Sequence, residues 1–213
     1  MAVLEKQLSI AKLSVVRKTV AGYLTEPVVR LLASTNITPN AITWFSFALA
    51  VGAAILITTG HLLAAGFLVL TSGFFDILDG ALARGTNRTT RFGAILDSTL
   101  DRLSEAVVLL GILGLILLSE EPTIPPAFLG EEWIILLVFV ALFSSWSVSY
   151  IRARAEAMGI DCEVGLFTRL ERVIVLALGL WLNQIVIALA IIAALSLVTA
   201  GQRLIHVRRE ARD

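Results

Sequence analysis

The chain has few of the residues that soluble-protein chemistry draws on. Of its 213 residues one is a cysteine, Cys162, and two are histidines. A single cysteine excludes an intrachain disulfide, and one Cys with two His excludes a Cys/His metal cluster. Charge is scarce as well. Charged residues make up 16% and apolar residues 57%, against about 25% and about 45–50% in soluble domains. The formal net charge is zero, and no nucleic-acid partner is expected. Residues 1–20 lack a continuous apolar run and carry Lys6, Lys12, Arg17 and Lys18. That pattern argues against a cleavable signal peptide and for a first apolar span that stays as an anchor.

What the chain has in abundance is long apolar runs. A helix crossing a bilayer needs about 20 mostly apolar residues. The runs predict spans at 41–59, 62–83, 94–118, 133–151, 171–183 and 185–204. The fifth is short before Asn183-Gln184, and a sharp turn is expected there. Upstream, Leu13, Val16, Val20 and Leu24 repeat at helical spacing beside Lys12, Arg17 and Lys18. This predicts an amphipathic juxtamembrane helix over about 8–33. The fold class is therefore an all-α integral membrane protein, a single domain over 1–213, with six transmembrane helices behind an N-terminal surface helix. All 17 Lys and Arg fall on the side shared by the termini and the loops near 84–93 and 152–170. The opposite side carries Glu120, Glu121, Glu131 and Glu132, with an irregular loop over 120–132. The positive-inside rule puts both termini in the cytoplasm and the protein in the cell membrane.

Four aspartates break the apolar runs. An Asp in a membrane segment costs about 2.5–3.5 kcal/mol even on lenient scales, so each needs a partner, a metal or water. Asp76 and Asp79 are i,i+3 and Asp97 and Asp101 are i,i+4, so each pair shares one helical face. Gly80 and Ala83 lie on the face of the first pair, where small residues admit close approach. The short loop 85–92 predicts antiparallel neighbouring helices with the two carboxylate pairs facing each other. Hard divalent cations with oxygen ligands, Mg²⁺ or Mn²⁺, relieve such a cluster, and a pair of them makes a phosphoryl-transfer site. The alternative is a set of salt bridges to Arg84, Arg88, Arg91 and Arg102.

Residues 76–101 read D-x2-D-G-x2-A-R-x8-G-x3-D-x3-D. This resembles the signature of the CDP-alcohol phosphotransferase family at eight positions: Asp76, Asp79, Gly80, Ala83, Arg84, Gly93, Asp97 and Asp101. The predicted layout is also similar to that family's, so the resemblance covers nearly the whole chain. It implies an enzyme with two divalent cations, Mg²⁺ or Mn²⁺, held by Asp76, Asp79, Asp97 and Asp101, with Asp101 also the general base on the acceptor hydroxyl. It implies CDP-lipid contacts at Gly80, Ala83, Arg84 and Thr90. Thr38-Pro39-Asn40-x-x-Thr43 resembles a family segment whose Asn40 and Thr43 positions hold the cytidine; those two also suit a plain helix start.

Runs 149–156 and 169–172, and Leu-Asp-Ser-x-x-Asp-Arg at 96–102, resemble the branch that makes phosphatidylinositol phosphate or archaetidylinositol phosphate. By that resemblance the donor is a CDP-lipid, the acceptor is inositol phosphate, and Arg152, Arg172 and Arg203 bind its phosphate, with Arg154 a weaker candidate. Bacterial members often have Lys where this chain has Arg152, and Pro in place of Leu170. Arginines at cytoplasmic helix ends are also expected from topology alone. Glycerol 3-phosphate or another alcohol is the alternative acceptor. A divalent-metal transporter and a non-catalytic membrane scaffold are the remaining readings. A transporter would place its carboxylates near the bilayer midplane between repeats, whereas here they cluster near one interface and no repeat is visible. A homodimer is expected from the family and from the apolar, Gly-containing third and fourth spans.

Overall fold

The computed structural model describes residues 22–23, 25–118 and 130–211. Among them the chain is all-helical, with no strand. Six helices follow in order: α1 (Pro39–Thr58), α2 (Leu62–Gly85), α3 (Arg91–Leu118), α4 (Glu131–Ala157), α5 (Arg169–Trp181) and α6 (Ile185–Glu210). Residues 25–33 are helical too. The rest of the expected 8–33 helix, and most of the loop 120–132, lie outside the described residues.

Local chemistry fixes the helix ends. Thr38 caps α1, its hydroxyl accepting from the Ala41 N–H at 3.3 Å, with Pro39 in the first turn, where a missing N–H costs nothing. The α2–α3 loop turns through Asn87 at φ 54, a left-handed conformation that Asn tolerates. At α5 the Glu171 carboxylate accepts from the Thr168 N–H at 2.7 Å, the reach-back half of a capping box. Asn183, at φ 52, makes the expected turn between α5 and α6.

Four helices, α1, α2, α4 and α6, are long and apolar enough to cross a membrane. α3 carries Asp101, Arg102 and Glu105 within its apolar run, and α5 has only 13 residues. The outer faces are lined with exposed large apolar residues such as Trp44, Phe67, Leu110, Phe139 and Phe143, which suits a hydrocarbon surround. Four such helices with apolar outer faces indicate a multi-pass membrane protein.

The packing departs from expectation at one place. α2 and α3 are consecutive, yet they hardly touch; α1 lies against both. The cause is the α3 glycines. A Cβ on Gly111 would stand 2.7 Å from the Ala54 Cα and carbonyl oxygen of α1, and one on Gly114 would stand 2.9 Å from Thr58 Oγ1. Thr58 Oγ1 also donates to the Gly111 carbonyl at 3.2 Å. These glycines serve contact within the chain, so they cannot be cited for a dimer. Ser46 and Ser72 tie α1 to α2, each hydroxyl donating to the other's carbonyl at 2.8 and 3.0 Å. The aspartate faces of α2 and α3 are left across an open cleft. α5 closes it by packing on α2, where Gly73 admits Val173.

Candidate active site

The cleft gathers the aspartates. One carboxylate oxygen each of Asp76, Asp97 and Asp101 lie within 4.8 Å of one another. Asp79 stands beside them at 2% exposure, with both of its carboxylate oxygens buried. An ionised carboxylate so buried demands a cation. The donors are all oxygens on facing helices, the set a hard divalent cation takes, so these residues fit one.

The protein cation at the cluster comes from elsewhere. Arg169, the first residue of α5, pairs through Nη1 with Asp76 Oδ2 and lies 2.6 Å from Asp101 Oδ1. Among the described residues no ion pair joins the aspartates to Arg84, Arg88, Arg91 or Arg102. Arg102 instead donates to the carbonyls of Ser98 and Ser149.

Two cavities flank the carboxylates. The first is lined by Asn40, Thr43, Asp79, Gly80, Ala83, Arg84, Thr90, Gly93 and Asp97 among others. All six residues expected at a CDP-lipid face this one space. Gly93 allows it: a Cβ there would meet Thr90 Oγ1 at 2.9 Å and Asn40 Oδ1 at 3.1 Å. Its N–H donates to Thr90 Oγ1 at 2.9 Å.

The second and larger cavity is lined by Asp97, Asp101, Glu105, Arg152, Arg169, Arg172 and Arg203 among others. Asp97 faces both cavities, Asp79 the first and Asp101 the second, so these three aspartates stand at their junction. The three expected arginines are all here but differ in their bonds. Arg172 is 3% exposed and grips Glu105 twice, Nε to Oε1 at 2.6 Å and Nη2 to Oε2 at 3.1 Å, while its Nη1 has no partner. Arg203 donates Nε to the Val164 carbonyl at 2.9 Å and Nη1 to the Val148 carbonyl at 2.5 Å. Arg152 is exposed and pairs with Glu156 at 2.7 Å. Arg154 is exposed and does not line the cavity.

The family model described as CDP-alcohol phosphatidyltransferase matches residues 36–201. The chain belongs to the CDP-alcohol phosphatidyltransferase family. As a member of it the protein is an enzyme, a membrane transferase of phospholipid biosynthesis, and the carboxylate cluster fits the divalent metals of that family. The archaetidylinositol phosphate synthase of Methanothermobacter thermautotrophicus is 38% identical over 172 residues, covering 78% of this chain and 80% of that protein. The crystal structure of the Mycobacterium tuberculosis phosphatidylinositol phosphate synthase with CDP-DAG bound superposes with a TM-score of 0.72 at 32% identity, covering 86% of this chain and 92% of that one. The same synthase in complex with manganese and citrate gives a TM-score of 0.72 at 32% identity, covering 86% of this chain and 88% of that one.

Among the polar residues of this phosphatidyltransferase site, Glu105 escapes the sequence reading altogether, and Arg169 stands in it only within the 169–172 run, without a role. Glu105 did leave a signal. It stands four residues after Asp101 in an apolar helix, and a buried carboxylate calls for a cation.

Proposed function

We propose that the enzyme transfers the phosphatidyl or archaetidyl group of a CDP-activated lipid to inositol phosphate, releasing CMP. The observation that carries this reading is the pair of cavities meeting at Asp97. One is lined by the six residues expected at a CDP-lipid, the other by a buried arginine with a free nitrogen. The synthases named above make inositol phosphate lipids, which supports the same acceptor here.

In this reading Asn40, Thr43, Gly80, Ala83, Arg84 and Thr90 seat the cytidine and pyrophosphate. Two divalent cations, Mg²⁺ or Mn²⁺, held by Asp76, Asp79, Asp97 and Asp101, would supply neutralisation of the pyrophosphate charge. Arg172 offers Nη1 to the acceptor phosphate, and Arg152 at the mouth adds a second positive charge. Arg203 steadies the cavity wall through its two carbonyl bonds. The acceptor oxygen then forms a bond to the lipid-side phosphorus, the bond to CMP breaks, and Asp101 takes the hydroxyl proton. Positioning the two substrates supplies much of the rate.

The whole chain is read as one membrane domain of six crossings, with α3 and α5 crossing despite their charge and length, and with the site and both termini facing the cytoplasm. All 17 Lys and Arg on one side support that orientation. A homodimer rests on the family alone.

The test is CMP release by purified protein with a CDP-lipid and Mg²⁺, offering inositol phosphate, inositol or glycerol 3-phosphate. Activity is expected with inositol phosphate, and Asp101→Asn is expected to lower it by about 10²–10⁴. Turnover with glycerol 3-phosphate instead would keep the chemistry and refute the acceptor.

A further inference from the structure

We propose that Arg169 is a resident counter-cation of the carboxylate cluster, displaced into the larger cavity when divalent cations bind. The inference rests on the metal reading of Asp76, Asp79, Asp97 and Asp101. All four carboxylates come from α2 and α3, whereas Arg169 reaches them from the start of α5. Its Nη1 holds Asp76 and Asp101 together. A divalent cation on these oxygens would take the place of that nitrogen, because each carboxylate oxygen would face two cations at contact distance.

The displaced side chain has somewhere to go. Arg169 already lines the cavity that holds Arg172, which lies three residues on and so on the same helical face. The Thr168–Glu171 bonds fix the backbone at this point, so the side chain moves while α5 stays. Released, the guanidinium adds positive charge beside the unpartnered Nη1 of Arg172. Metal loading then prepares the same cavity for an anion, and by linkage an anion there tightens metal binding by the same factor. Before loading, the arginine offsets the repulsion between Asp76 and Asp101.

The measurement is Mn²⁺ binding to the full-length protein in detergent, read from the loss of the free-ion EPR signal, with and without sulfate as a weakly chelating dianion. Wild type should bind Mn²⁺ more tightly when sulfate is present, by at least about fivefold. Arg169→Gln should bind Mn²⁺ more tightly than wild type without sulfate, roughly 5- to 150-fold, the ordinary range of site–site coupling. It should lose the sulfate effect and unfold at a lower temperature in EDTA. Equal or weaker Mn²⁺ affinity in the variant overturns the proposal. So does absence of sulfate coupling in wild type, a readout that needs no variant to fold. No Mn²⁺ binding by wild type would remove the metal reading and this inference together.

Discussion

Arg172→Ala tests both the packing and the acceptor reading. Arg172 and Glu105 join α5 to α3 with side chains 3% and 13% exposed. Removing one partner of such a pair strands the other charge and costs about 3–5 kcal/mol, so the midpoint of thermal unfolding in detergent should fall clearly. The Nη1 lost with the side chain would make a charge-assisted bond to the acceptor phosphate, worth about 1.5–3 kcal/mol. That is a loss of roughly 10- to 150-fold in kcat/KM for the phosphorylated acceptor. The two effects separate in the double variant Glu105→Leu with Arg172→Met. Replacing a buried pair with apolar residues of similar size is often neutral or better for stability, so the fold should recover while kcat/KM for the acceptor stays low. CMP release with each substrate varied in turn supplies the assay. Recovery of both stability and acceptor kcat/KM in the double variant would refute a phosphate-binding role for Arg172 and leave it as a strut.

Two further outcomes check the geometry elsewhere. Arg84→Gln, in the smaller cavity beside Gly80, should raise KM for the CDP-lipid by about tenfold, one charge-assisted hydrogen bond, and leave KM for the acceptor unchanged. Gly111→Ala puts a methyl against the backbone of Ala54, which cannot swing away. It should cost about 1–3 kcal/mol of stability, seen as a lower unfolding temperature with site residues intact.

The two carboxylate pairs were legible because their residues lie close in sequence, whereas Asn40, Thr43, Arg84 and Thr90 of the first cavity came from the family resemblance. Asp76 to Asp101 span two helices and one short loop, and their regular spacing already fixes which face each occupies. The apolar runs gave helix limits close to those observed, with α4 and α6 continuing as helix beyond the apolar stretch to Ala157 and Glu210. Arg169 could not be read this way. It lies 93 residues from Asp76, and helical spacing carries no information across that distance. The same holds for Arg172 and Glu105, 67 residues apart. The carboxylate pairs of α2 and α3 face each other as expected, but the two helices hardly touch elsewhere, for a related reason. Loop length limits how far two helices can separate at one end, but Gly111 and Gly114 decide which neighbour α3 lies along.

The brevity of α5 has a consequence for how the enzyme sits in its lipid. Thirteen residues rise roughly 20 Å, well short of the hydrocarbon thickness of about 30 Å. The far end is pinned by the Trp181 indole N–H on the Leu63 carbonyl at 3.2 Å, so α5 cannot slide to make up the difference. In the six-crossing reading proposed above, the shortfall would fall at the Arg169 end, where the film would thin or water would descend to meet the helix. The lipid backbone of the proposed donor, held at its usual depth, could then present its phosphate to the reaction without being lifted out of the leaflet, and the finished lipid could leave sideways.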